Sequence, residues 1–451
     1  MTIDQAGGTP PDPATRAFAV TNRAVLGIAV PMTLAFLTTP LLGIVDTAVV
    51  GQLGDAALLG GLAIGALAFD FVFASFGFLR TGTTGLVAQA FGRGEEAAER
   101  AVFWRAILLA AGIGLVMTLA TPLVIAATDC FVAPDPAVSQ AMTVYVAIRM
   151  LAAPVTFINY ALLGYVLGRG QGTTGLVLQL VVNGGNIVFS IVFGLWMGWG
   201  IAGVAWGTVT GELLGALVGA AIVLPRFRRG RRLRPGEVFD AAAFRAMMAL
   251  NRDIMIRTFV LVAAFALLTQ QGARLGTVTL AANAVLMNFF MLAGYFLDGF
   301  AAAAEQLAGR AVGARHAPAF HRTVRLTAIW GFCLAGATSV VLLAFGDAAI
   351  AFITTAADVR AEAARYLPWA ALTAVSGVLA FQMDGIFIGA TWSRDMRNMM
   401  LLSFALYVAA LWWLGSLFGN HGLWAALHIF LIARGLSLWA VMRVRARTTF
   451  A

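Results

Sequence analysis

The chain has 451 residues, of which 61% are hydrophobic and 11% charged, against roughly 25% charged in a soluble domain. Its 30 basic residues are all arginine and outnumber 21 acidic ones, for a net charge of +9. The arginines gather between long apolar stretches, so the excess belongs to membrane topology and not to nucleic-acid binding.

Residues 1–20 are polar, with Pro, Gly and Asp, and lack the charged-then-apolar order of a cleaved signal peptide. They read as a short disordered cytoplasmic tail. Apolar stretches follow near 22–52, 56–92, 95–127, 136–168, 173–197, 201–225, 242–272, 277–313, 318–353, 358–389, 394–417 and 421–444. A hydrocarbon core of about 30 Å needs roughly 20 helical residues, so each stretch can span it. The expected fold is an all-α membrane protein of twelve transmembrane helices in two six-helix lobes. An N-lobe covers 21–225, a basic cytoplasmic linker 226–241, a C-lobe 242–444 and a cytoplasmic tail 445–451.

Charges and prolines inside spans are costly and therefore informative. The first span carries Pro31, Pro40 and, in its outer part, Asp46. A carboxylate in a low-dielectric cavity is a candidate proton carrier, and the two prolines mark this helix as the bending element. The alternative for Asp46 is a structural pairing with an arginine. The second span holds Asp70 and Arg80, and the fourth holds Arg149 and Asn159. The fifth has Asn183, Asn186 and Ser190, and the sixth Thr208 and Glu212. Asn186 and Ser190 are four residues apart and share a helix face. With Asn159, Asn183, Thr208 and Asp46 they make a candidate hydrogen-bonded cluster, or else packing contacts between helices. The eighth span holds Asp298 and Glu305 on one face, the tenth Asp384. These other charges read as structural pairs, with Arg80 and Arg149 as partners. His428, alone in the last span, reads as a packed polar residue. Cys130 and Cys333 form neither a disulfide framework nor a metal set and read as inert packing residues.

The loops sort by charge. Arg93 and Arg100 follow the second span, Arg169 the fourth, and a run from Arg226 to Arg234 the sixth. Arg310, Arg315 and Arg322 follow the eighth span, Arg394 and Arg397 the tenth, and Arg443, Arg445 and Arg447 close the chain. The intervening loops are poor in arginine. Both termini and the arginine-rich loops are thus expected in the cytoplasm.

The halves repeat with a step of 221 residues: Tyr145 to Tyr366, Gly164 to Gly385, Gly168 to Gly389 and Gly92 to Gly313. Six spans per half makes this a parallel repeat, an architecture of secondary transporters. Enzymatic and ATP-driven readings find no support. Gly170, Gly172 and Gly175 match GlyXGlyXXGly but follow no strand, and a Walker A motif needs a lysine, of which the chain has none. No cofactor or metal set is expected.

Four segments carry a family resemblance: TPLLGIVDTAVVGQLG, FLRTGTTGLVAQAFGRG, YFLDGFAAAAEQLAGRAVGAR and FQMDGIFIGATWSRDMRNMMLLS. By these the chain resembles the multidrug and toxic compound extrusion (MATE) family, and closely its DinF branch. The resemblance implies two six-helix lobes around a V-shaped cavity, in the inner membrane. It further implies alternating access, with export of organic, often cationic amphipathic compounds against inward protons or sodium. Asp46 matches the family's coupling acid and Asn186 a helix-5 asparagine. Ser190 stands where many relatives carry a second Asp, which favours protons over sodium. The expected working unit is a monomer with a small organic substrate and lipid as its partners. Sodium coupling and flipping of a lipid-linked substrate are the alternatives.

Overall fold

A computed structural model describes residues 17–132, 134–228 and 233–451. Its helices are α1 (Asn22–Gly51), α2 (Ala56–Ala74), α3 (Phe78–Arg93), α4 (Glu96–Leu119), α5 (Thr121–Val132), α6 (Pro136–Leu151), α7 (Ala153–Gly168) and α8 (Gly172–Ile191). A π-turn at Val192–Trp196 leads to α9 (Gly200–Phe227), the short α10 (Pro235–Val238), α11 (Ala241–Arg274) and α12 (Thr277–Gly313). α13 (Ala317–Ile353), α14 (Ala357–Gly389), α15 (Ser393–Phe418) and α16 (Asn420–Phe450) complete the chain. Among the described residues eleven helical stretches are long and apolar enough to cross a membrane, and twelve when α6 and α7, bent by 50° at their junction, are counted as one span. A lipid interior offers no water to backbone N–H and C=O groups, and the helix satisfies them within each span. The outward surface bears Leu119, Phe131, Phe345 and Phe352, all largely exposed, as a lipid-facing surface requires. Thr21 and Asp55 cap α1 and α2, and Asp240 caps α11. Gly54 and Gly276, at φ +72° and +117°, turn the chain from α1 to α2 and from α11 to α12.

The repeat returns in the contacts. Gly164 packs against the Arg80 carbonyl, and Gly385 against the Ala301 carbonyl. One turn on, Gly168 meets the Thr84 carbonyl and Gly389 the Glu305 carbonyl. Each C-lobe pair is its N-lobe pair moved by 221 residues. A Cβ at any of these four glycines would overlap the facing backbone, so bare glycine sets how closely α3 meets α7 and α12 meets α14.

The lobes meet along α1, α3, α12 and α14. This contact is reciprocal: Gly92 lies on the Arg310 carbonyl, and Gly313 on the Gln89 carbonyl. Gln89 donates to the Gly389 carbonyl and to Thr391 Oγ1, both at 3.0 Å, and Gln306 donates to the Gly168 carbonyl at 3.4 Å. Among the described residues, no hydrogen bond between the lobes lies farther from the arginine-rich end than Thr33 Oγ1 to the Phe296 carbonyl, midway along α12. The lobes are closed on each other at the arginine-rich end.

Several expectations change. The second, third and fourth spans are each broken, at Ser75–Gly77, Ala120 and Ala152. α1, the expected bending element, is here one unbroken helix that contains Pro31 and Pro40. Of the tail expected to be disordered, residues 1–16 lie outside the described residues, as do Arg229, Arg231 and Arg232 of the linker. Within residues 17–20, Val20 is buried and the Phe18 ring sits under the Arg310 guanidinium at 4.0 Å, while Ala17 and Ala19 are exposed. The terminal segment 445–451 continues α16 as far as Phe450, with Arg445 paired to Asp395 at 2.6 Å. Cys130 and Cys333 are exposed, not packed inside.

Candidate functional site

The N-lobe cluster forms where α1, α8 and α9 converge. α8 and α9 approach closely because Gly207 faces the Ser190 backbone and Gly211 the Asn186 backbone, where any Cβ would overlap. Asn186 then donates to Thr208 Oγ1 at 2.9 Å. Ser190 Oγ lies 3.2 Å from Asn186 Oδ1 and 3.3 Å from the Val204 carbonyl. Asp46, on the face of α1 turned toward this pair, is buried at 6% exposure beside the Ser190 hydroxyl. Its Oδ1 has no hydrogen-bond partner, and Asp46 has no ion pair among the described residues. A carboxylate so placed sits against neutral hydrogen-bonding groups, feels Arg149 without pairing to it, and is not a locked ion pair.

Asn183 and Asn159 lie apart from this centre. Asn183 donates to Thr38 Oγ1 at 2.5 Å, tying α8 to α1 just before Pro40. Asn159 donates to Glu212 Oε2 at 2.6 Å and to the Glu212 carbonyl at 2.8 Å. Glu212 is thus held by an amide, where an arginine was expected.

Arg149 is the cation of this lobe. It stacks on Phe69 at 3.7 Å and donates to Tyr145 Oη at 2.5 Å. Asp46, Asp70 and Glu212 all lie within its electrostatic reach, and it closes an ion pair with none of them. Asp70 is exposed, contrary to the expectation of a buried charge. Asp298 on α12 is exposed too, and Tyr295 lies within reach of both acids, one from each lobe. Arg80, half-buried on α3, reaches Asp298 and Glu305 across the lobe boundary. Glu305 is buried beside Thr84, with Oε1 unpartnered. The space between the lobes is therefore walled by acidic, basic and aromatic groups of both halves.

Asp384 is the structural charge of the C-lobe. It pairs with Arg257 of α11 and Arg434 of α16, and both Asp384 and Arg434 are buried. These partners were missed: Arg80 and Arg149 lie elsewhere. Arg257 and Arg434 each interrupt an apolar span, the same sign that singles out Asp384. His428, half-buried, meets the Trp369 carbonyl at 3.1 Å, as a packed polar residue should. Among the described residues no group of three His, Cys, Asp or Glu side chains could hold a metal ion.

Comparison with known proteins agrees with this geometry. The MatE family model matches residues 31–192 and again 254–414, one match per lobe. The DNA damage-inducible protein F of Escherichia coli K12 is 39% identical over 433 residues, covering 94% of this chain and 92% of that protein. A probable multidrug resistance protein NorM of Rhizobium meliloti is 26% identical over 457 residues, 95% of each chain. A solved structure described as the outward-facing conformation of a multidrug resistance MATE family transporter superposes with a TM-score of 0.86 at 16% identity. It covers 95% of this chain and 96% of its own. A MOP superfamily transporter from Pyrococcus furiosus, whose description notes a reverse polarity of its binding pocket, also scores 0.86, at 15% identity with 95% and 97% covered. At these identities the structural likeness establishes the fold.

Proposed function

Since this chain belongs to the MatE family, we propose that it is a proton-coupled secondary exporter of organic, cationic amphipathic compounds. Asp46 is its coupling group, and the working unit is one chain acting as a transporter, not an enzyme. The observation that carries this reading is Asp46 itself. It is buried among neutral hydrogen-bonding groups, with one oxygen unpartnered and no ion pair among the described residues. A carboxylate locked to an arginine could not exchange its proton cheaply, whereas this one can.

With the arginine-rich end in the cytoplasm, the described conformation is closed inside and accessible from outside. An external proton neutralises Asp46, turns an acceptor into a donor, and rearranges its contacts with α8. α1, lacking the two backbone N–H groups of Pro31 and Pro40, is the helix that responds. The step drives export only if substrate and proton favour different lobe arrangements. Exposed Asp70 and Asp298, with Tyr295 within electrostatic reach of both, offer negative charge and an aromatic ring to an organic cation.

The test is efflux of a fluorescent lipophilic cation from proteoliposomes under an imposed proton gradient in sodium-free buffer. Wild type should transport, faster as the pH on the proton-entry side falls, while Asp46→Asn should bind the dye without gradient-driven transport. An Asp46→Asn variant with the pH dependence of wild type sinks the proposal. Transport driven by sodium alone would turn it to the sodium alternative. Ser190, in place of a second carboxylate, leaves Asp46 as the one negative ligand of the Asn186–Ser190–Thr208 cluster and speaks against sodium.

A further inference from the structure

We propose that an anionic phospholipid of the bilayer binds in the seam between the lobes at the arginine-rich end, its headgroup among arginines and an acyl chain in an adjoining apolar groove. Two cavities meet there, of about 760 and 960 Å³. The smaller is walled by α3 and α4 of the N-lobe and by α11 and α15 of the C-lobe. Arg93, Arg105, Arg252, Arg394 and Arg397 line it against a single acid, Asp253. Asp253 is already engaged by Arg397 at 2.8 Å and Arg252 at 3.2 Å, and Arg93 by Glu95 at 2.7 Å. Arg394 is exposed and has no ion pair among the described residues, and Arg105 donates to the carbonyls of Val238 and Glu237, with Asp240 within its electrostatic reach. The cavity keeps a surplus of positive charge, the match for a phosphodiester.

The larger cavity shares Arg105 and continues along α4 past Leu109, Ile113, Val116 and Met117, with Phe76 and Phe244 opposite. From Arg105 to Met117 the helix rises about 18 Å, near the half-thickness of about 15 Å available to one acyl chain. A cationic recess opening into an apolar groove at the end of the spans fits an acidic lipid better than a free anion. Both lobes supply the arginines, so a bound lipid bridges them and favours the arrangement closed at this end.

The test is native mass spectrometry of the purified full-length chain, delipidated and titrated with phosphatidylglycerol, with phosphatidylcholine and inorganic phosphate as separate arms. Wild type should retain phosphatidylglycerol selectively. Arg394→Gln and Arg252→Gln should each weaken retention about fivefold, the effect of removing one cation near an anionic headgroup. Gly112→Phe fills the apolar cavity without disturbing the helix, since a Cβ at Gly112 meets nothing within 4 Å. It should cost at least tenfold in retention at an unchanged thermal midpoint. Equal retention of the two lipids overturns the proposal, as does full retention in all three variants. Competition by inorganic phosphate as strong as by lipid overturns the lipid as occupant.

Discussion

Asp46 and Asp384 are both buried aspartates within apolar spans, yet their surroundings assign them opposite work. Asp384 is held by Arg257 and Arg434. Removing one partner of a buried ion pair leaves an uncompensated charge and costs about 3–5 kcal/mol. Asp384→Leu strips the counter-ion from both Arg257 and the buried Arg434 and should therefore lower the thermal midpoint strongly. Replacing Asp384 and Arg434 together by apolar residues should recover part of that loss, while Asp46→Asn should leave the midpoint almost unmoved. A melting curve of each detergent-solubilised variant decides this. Ser190→Ala removes the hydroxyl beside Asp46 and should shift the pH profile of transport while leaving dye binding intact. An unmoved profile would take Ser190 out of the coupling group. The sequence exposes that these residues are unusual, because a charge or an asparagine run stands out in an apolar span. It does not expose who meets whom. Arg257 to Asp384 and Asn159 to Glu212 are meetings of different helices, invisible to spacing along one. The accessibility of Asp70 and Asp298 likewise depends on the lobes standing apart around them.

Among the elements, the long apolar helices were legible nearly to the residue, because the bilayer demands both their length and their composition. The breaks at Ser75–Gly77, Ala120 and Ala152 were not. Pro122, two residues after Ala120, and Pro154, two residues after Ala152, give a local reason for two of them. At α1 the helix continues through both Pro31 and Pro40. The glycine step of 221 was the deeper signal, since it marks where backbones touch. It also makes a paired prediction. Gly164→Val and Gly385→Val insert side chains against equivalent carbonyls of Arg80 and Ala301. Each should destabilise by about 1–3 kcal/mol, and the two losses should match within about 0.5 kcal/mol. A control substitution at Gly184, where a Cβ meets nothing within 4 Å, should cost far less. Thermal melts of the three variants are the measurement.

At the scale of the whole molecule, alternating access requires the seam between the lobes to open at the arginine-rich end. Gln89 and Thr391 face each other across it at 3.0 Å. A Gln89→Cys, Thr391→Cys pair joined by a short bifunctional reagent should stop transport, and reduction of the linker should restore it. Cys130 and Cys333 must first become serine, because both are exposed to the reagent. Transport that persists with the pair fully joined would refute opening at this seam. The seam has a further property. Where Gly92 and Gly313 lie on carbonyls of the opposite lobe, it is backbone against backbone, while Leu79 of one lobe and Leu307 and Ile388 of the other share one apolar core beside it. Its hydrogen bonds contribute about 1 kcal/mol each. One charge carried through 100 mV releases about 2.3 kcal/mol, a quantity of the same order. Under the proposed proton coupling, the membrane potential therefore contributes to opening these hydrogen bonds alongside the chemical gradient.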